Sequence, residues 1–245
     1  MNKKLIVGLI LFLLVGGGVY YFFSNQNFQP ENIINDQGQQ IETQTSQDQF
    51  DIEVLAENLE IPWEIAFLPN GDILITERPG RLLVLGENET VIEVEGVKHT
   101  GEGGLLGMVL HPDFENNSYL YLYLTSEANG QTINRVERYV FENNQLSDKT
   151  VIIDDILGAS YHDGGRMEFG PDGYLYITTG DAGQVDLAQD PNSLAGKILR
   201  LTDEGEIPED NPFGNAVYSY GHRNPQGLAF DDSGNLWATE HGRSG

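Results

Sequence analysis

Four stretches of this chain repeat one plan, and that repetition limits the fold more than any single motif does. "IPWEIAFLPNGDILITE", "GGLLGMVLHPDFENNSYLYLYLT", "GGRMEFGPDGYLYITTGD" and "NPQGLAFDDSGNLWATEHG" each pass from a small or turn residue into a short apolar strand. Each then makes a Pro-Asp or Asp-Ser type turn and enters a second strand that ends in Thr or Glu. The turns, at Pro69, Pro112, Pro171 and Asp232, lie 43, 59 and 61 residues apart. Hairpins at this interval fit blades of ~40 to 50 residues, some with insertions, set radially as a β-propeller. A β-sandwich with similar hairpins is the alternative.

The surrounding pattern is all-β. Alternation recurs in "DIEVLAENL", "DILITE", "RLLVLG", "SYLYLYLT", "RVERYVF", "YLYITTG" and "NLWATEH", each bounded by turn residues. One stretch, "VDLAQDPNSLAGKILRL", fits helix or strand. Four units make a poor closed ring, and "EHGRSG" follows directly on a strand, where an open edge leaves backbone groups unpaired. The reading therefore expects about four blades here and two more absent.

Residues 5 to 23, "LIVGLILFLLVGGGVYYFF", carry no charge and follow Lys3 and Lys4. As a helix they would reach ~28 Å, enough to cross a bilayer core, with the lysines inside and Tyr20 and Tyr21 at the outer interface. A cleaved signal peptide is the other reading. Either way the remainder is exported, anchored to the membrane in the first case and secreted or periplasmic in the second. Residues 24–49 are rich in Asn, Gln, Ser and Thr and read as a disordered tether, with the propeller domain spanning 50–245.

With 38 acidic against 13 basic residues the net charge is -25, which argues against nucleic acid as a partner. The absence of cysteine removes disulfides and thiolate metal sites.

Three segments carry candidate chemistry, and in a propeller such positions near the ends of inner strands converge on one face. In "TGEGGLLGMVLHPDF" the glycines permit close backbone approach, and Glu102 is either a ligand contact or simply solvated. In "YHDGGRMEFGPDGYLYITTGDAG" His162 and Asp181 sit at the two ends of an expected hairpin, which returns both to one edge. A carboxylate on one imidazole nitrogen fixes the tautomer and leaves the other nitrogen as a base. Asp163, adjacent to His162, is expected to point elsewhere in an extended chain. In "YSYGHRNPQGLAF" Arg223 offers a planar fork of donors and Asn224 a donor and an acceptor, with Pro225 holding Asn224 extended. An anion or quinone clamp and a loop-stabilising Arg both fit, and His222 reads as structural.

In order and spacing, "GEGGLLGMVLHPDF", "HDGGRMEFGPDGYLYITTGD", "GKILRLTDEGEIPEDNPF", "YGHRNPQGLAF" and "WATEHG" resemble the glucose/sorbosone dehydrogenase family. The resemblance covers residues 50 to 245. It implies a six-bladed quinoprotein propeller that oxidises aldoses at C1 to lactones, passing hydride to pyrroloquinoline quinone (PQQ). It implies His162 as general base, Asp181 as its orienting carboxylate, and Arg223, Asn224 and Glu102 as cofactor contacts, Glu102 standing where many relatives have Gln. It also implies Ca2+ on the backbone carbonyls of Gly242 and Arg243, although Arg243 replaces the usual Pro. The family's further basic cofactor ligands and its second calcium site belong to later blades and have no counterpart before Gly245. The electron acceptor is left unidentified. A membrane-tethered propeller that binds sugars or proteins without redox chemistry is the competing function.

Overall fold

The computed structural model of the chain describes residues 53–242. The membrane or signal segment at 1–23, the tether at 24–49 and Arg243 lie outside the described residues. The compact unit that begins at Val54 is all-β apart from two short helices.

Three four-stranded antiparallel sheets follow one another along the chain, each a simple meander. The first contains β1 (Pro62–Phe67), β2 (Ile73–Glu77), β3 (Arg81–Leu85) and β4 (Thr90–Glu93). The second contains β5 (Leu105–Leu110), β6 (Tyr119–Ala128), β7 (Gln131–Glu142) and β8 (Gln145–Leu157). The third contains β9 (Met167–Phe169), β10 (Leu175–Thr179), β11 (Lys197–Leu201) and β12 (Val217–Tyr220). A fourth, two-stranded sheet pairs β13 (Pro225–Phe230) with β14 (Leu236–Glu240). Among the described residues there are thus four successive sheets, as the repeat led one to expect: three complete blades and the inner hairpin of another. The first strands meet in sequence, β1 against β5, β5 against β9 and β9 against β13, so they line the axis.

Period-two alternation explains why the sheets stack face to face. Along β6, Leu120, Leu122 and Leu124 point into a core shared with Leu74, Leu82 and Val84 of the first sheet. Tyr121 and Tyr123 point the other way, against Met167, Leu175, Ile177 and Leu199 of the third. Burying each such side chain contributes roughly 1.5–3 kcal/mol before ordering entropy is charged against it. Both tyrosines keep a polar contact, Tyr121 donating to the Asp203 carbonyl at 3.0 Å and Tyr123 to the Asp163 carbonyl at 2.7 Å.

The recurrent Thr-Glu ending also has a structural cause. Pro62 pairs with Glu77 and Pro225 with Glu240, each beside a bulge in the inner strand. Thr76 Oγ1 accepts the Glu64 N–H at 3.0 Å, and Thr178 Oγ1 accepts the Arg166 N–H at 2.9 Å, so a hydroxyl satisfies a donor where the ladder is broken.

One sequence expectation needs correction, and one left open is resolved. No strand forms over residues 53–61, because Asn58 (φ 60°) and Ile61 (φ 53°) leave the extended region. The ambiguous stretch divides into α2 (Val185–Gln189) and then β11, while α1 (Phe114–Asn117) occupies the Pro112 turn.

Candidate functional site

His162 and Asp181 come together for a topological reason. β9 and β10 are antiparallel neighbours, so the residues before β9 and after β10 share one edge. There His162 Nδ1 lies 2.7 Å from Asp181 Oδ1, and both side chains are largely shielded. The same Asp181 oxygen accepts the Gly183 N–H at 2.7 Å, which fixes the carboxylate. With Nδ1–H donating to that carboxylate, the lone pair lies on Nε2, which no described residue engages. Tyr161 packs edge-on against the imidazole, ring centres 4.8 Å apart.

The backbone around the pair is constrained. His162 itself has φ 61°, an unusual conformation for a residue with a Cβ. Its carbonyl passes so close to Gly180 that a Cβ there would stand 1.7 Å from the oxygen. Gly101 and Gly104 similarly admit the carbonyls of Ser160 and Arg78, so neighbouring backbone, not a ligand, accounts for those glycines.

Glu102 reaches this edge from the second blade. Its Oε2 accepts the His162 N–H at 2.8 Å and the Asn224 Nδ2–H at 3.4 Å. Asn224 is 3% exposed and ties blades together, its Oδ1 accepting the Gly164 N–H at 3.0 Å and Gln226 Nε2–H at 3.1 Å. Arg223 gives its carbonyl to the Asp181 N–H at 2.8 Å. Its guanidinium makes one bond to a described residue, from Nη1 to the His241 carbonyl at 3.1 Å, leaving most of its fork available. Asp163 turns away from the imidazole, as its neighbouring position led one to expect, and binds Asn134 and Ala159 instead.

Glu240 organises the third of these segments, His222 to Asn224, and was not singled out in the sequence. Its carboxylate takes the N–H groups of Arg223 and Asn224 and meets His222 Nδ1 at 3.2 Å. Partial burial pushes its pKa upward, but the two N–H donors and His222 together hold it below the ordinary glutamate value. The repeated Thr-Glu strand ending was the available signal, since Glu77 occupies the matching position in the first blade. His222 is held between Ser219 and Glu240, a structural role.

Arg166, which ends the run His162-Asp163-Gly164-Gly165-Arg166, reaches the neighbouring blades. It lies over the Trp63 ring at 4.3 Å, donates to the Gln226 carbonyl at 2.9 Å and pairs with Glu64. It therefore joins the third blade to the first and fourth. One cavity is lined by Trp63, Glu102, Asp163 and Asn224, and another, of about 580 Å3, by Asp181, Arg223 and Gly242.

Arg223 has unspent N–H donors that suit an oxygen-rich anion, while His162 keeps Nε2 on the same edge as an unengaged acceptor. Of the two carbonyls expected to hold calcium, that of Gly242 lies among the described residues, which contain no cluster of three or more acidic or imidazole side chains that could hold a metal ion.

A family model described as Glucose / Sorbosone dehydrogenase matches residues 59–245. The chain is 38% identical over 215 residues to an aldose sugar dehydrogenase of Escherichia coli, covering 79% of this chain and 57% of that protein. It is 35% identical over 231 residues to quinoprotein glucose dehydrogenase B of Acinetobacter calcoaceticus, covering 79% of this chain and 48% of that protein. Among solved structures, the PQQ-bound aldose sugar dehydrogenase of Streptomyces coelicolor superposes with a TM-score of 0.74 at 41% identity. That match covers 78% of this chain and 60% of the other. The chain thus spans about half the length of the curated relatives it matches.

Proposed function

The chain belongs to the glucose/sorbosone dehydrogenase family, and from that premise we propose that it takes part in PQQ-dependent oxidation of aldoses at C1 to the lactone. The observation that carries this reading is the His162–Asp181 pair, with Nδ1 committed to a buried carboxylate and Nε2 unengaged. Arg223 and Asn224 are proposed to hold the quinone and Glu102 to lie at its edge or against the sugar. PQQ, when bound, supplies the two-electron acceptor that no amino-acid side chain of this chain provides.

The chain's own residues then have defined tasks. Nε2 of His162 takes the proton of the C1 hydroxyl as that carbon is oxidised, and Asp181 stabilises the imidazolium that results. The Gly183 N–H and the Arg223 carbonyl hold Asp181 and its backbone, so the imidazole keeps one orientation. Glu102 secures the His162 backbone and is in turn secured by Asn224. Arg166, stacked on the Trp63 ring, ties the third blade to the first.

Calcium is proposed on the carbonyls of Gly242 and Arg243, and no step above depends on it. Export, by an uncleaved anchor or a cleaved signal within 1–23, remains part of the proposal, as do the aldose substrate and a separate electron acceptor.

Titrating the purified chain with PQQ and calcium tests the reading. A bound-quinone absorbance that bleaches on adding an aldose is the expected result. Sugar or protein binding with no quinone uptake would instead favour the non-catalytic propeller.

A further inference from the structure

The left-handed backbone of His162 sets where the preceding side chain lies. In an extended segment, consecutive side chains point to opposite sides. With His162 at φ 61°, the Tyr161 and His162 rings instead meet, their centres 4.8 Å apart and their planes at 85°. Such a conformation is costly for a residue with a Cβ and persists only where the surroundings over-determine it. Here they do so: the His162 N–H donates to Glu102 Oε2 at 2.8 Å, and its carbonyl accepts the Ala182 N–H at 3.2 Å.

Room for the Tyr161 ring is made at Gly183. A Cβ on that residue would stand 2.5 Å from the phenol oxygen and 2.9 Å from the ring carbons Cε2 and Cζ. Gly183 also donates its N–H to Asp181 Oδ1, the oxygen that meets His162 Nδ1. One turn therefore seats the carboxylate and the phenol ring together, and the imidazole touches both. Tyr161 is 47% exposed, whereas the imidazole is largely shielded.

The two contacts restrain different motions. A hydrogen bond at Nδ1 fixes one atom of the imidazole but leaves the ring free to swing about the line from Nδ1 to the carboxylate oxygen. A perpendicular aromatic ring beside it fixes the plane, and with the plane the direction of the Nε2 lone pair. We propose that Tyr161 is a positioning residue for His162, its ring holding the imidazole in the plane that aims Nε2 at the substrate hydroxyl and keeps Nδ1–H on Asp181. Tyr161 acts through His162, not on the reacting atoms. This role rests on the reading of His162 as the base, while the seating of the ring is a property of the ligand-free chain.

Two measurements separate positioning from mere loop filling and from contact with sugar or quinone. Long-range proton–nitrogen correlation NMR of the ligand-free, histidine-labelled chain reports the His162 tautomer and the solvent exchange of its Nδ1–H, at about pH 8 where ordinary imidazoles are neutral. Among the five histidines, the His162 signals are those missing in His162→Asn, a residue that tolerates the left-handed backbone. The parent and Tyr161→Phe, which keeps the ring, should show one Nδ1–H tautomer with a protected proton. Tyr161→Leu should show mixed tautomers and an Nδ1–H lost to exchange. In the PQQ- and calcium-loaded protein, kcat should fall about tenfold in Tyr161→Leu and stay within about twofold in Tyr161→Phe, with KM and quinone affinity changing less than about twofold in either. If circular dichroism shows Tyr161→Leu unfolded, Tyr161→Gln, polar at a half-exposed position, takes its place. Mixed tautomers in the parent, or a parent-like His162 signature in the folded variant that lacks the ring, overturns the proposal. So does an active variant whose kcat matches the parent's, and a rise in KM alone would make the ring a substrate contact instead. A signature that changes as expected in a chain whose quinone no aldose reduces keeps the seating of the imidazole and removes the proposed reaction.

Discussion

His162 Nδ1 and Asp181 Oδ1 stand 2.7 Å apart across the opening of one hairpin, and the shared oxygen also accepts the Gly183 N–H. The carboxylate therefore has one geometry and the imidazole one tautomer. Asp181→Asn keeps the shape but presents an amide, which stabilises neither that tautomer nor an imidazolium. In the PQQ- and calcium-loaded protein, kcat should fall by about 10²- to 10⁴-fold while quinone affinity changes little. Stopped-flow reduction of the bound quinone, set beside an equilibrium quinone titration, separates the two quantities.

Glu240 gives the site an acid-sensitive support. Its folded-state pKa lies below the ordinary glutamate value of about 4.3, because the Arg223 and Asn224 N–H groups and His222 outweigh the effect of burial. The folded state thus releases this proton more readily than the unfolded chain does, and the resulting stability is present at neutral pH. It is lost as pH falls through the lowered value. Glu240→Gln should be less stable than the parent at pH 7, with the difference shrinking below about pH 4. Urea denaturation at a series of pH values measures this directly.

Lys197 is fully buried in β11, and its ammonium donates to the carbonyls of Leu187, Ala188 and Ala195. Burial pulls its pKa down to about 8, so it is charged at neutral pH and clamps α2 against the sheet. That helix follows the turn that starts at Asp181, where the Gln184 N–H returns to the Asp181 carbonyl at 2.8 Å. Lys197→Met leaves these carbonyls without their donor and should cost about 2–4 kcal/mol of stability, read as a lower denaturation midpoint.

The propeller plan was legible because period-two alternation and turn residues are local signals. The run "SYLYLYLT" of β6 buries leucines on one side and tyrosines on the other, as such alternation requires. Proximity of His162 to Asp181 followed from hairpin return, and the turning away of Asp163 from adjacency in the chain. Other features depended on blades meeting in space. The Thr-Glu strand ending marked Glu240 but not its seat beneath Arg223 and Asn224, and the crossing of Arg166 to Glu64 and Trp63 has no local signature. The run "DIEVLAENL" shows the converse failure: its alternation suggested a strand, yet positive φ at Asn58 and Ile61 keeps the described residues 53–61 out of the sheet.

The account's central claim is that His162 Nε2 is the base for sugar oxidation. The most direct measurement is the rate of aldose-dependent dye reduction by the PQQ- and calcium-loaded protein, compared with that of His162→Ala. The account expects activity in the parent with at least one aldose. It expects a fall of about 10²-fold or more in the variant, with quinone still bound. Activity in His162→Ala equal to the parent's, or no reduction by the quinone-loaded parent with any aldose, would contradict it.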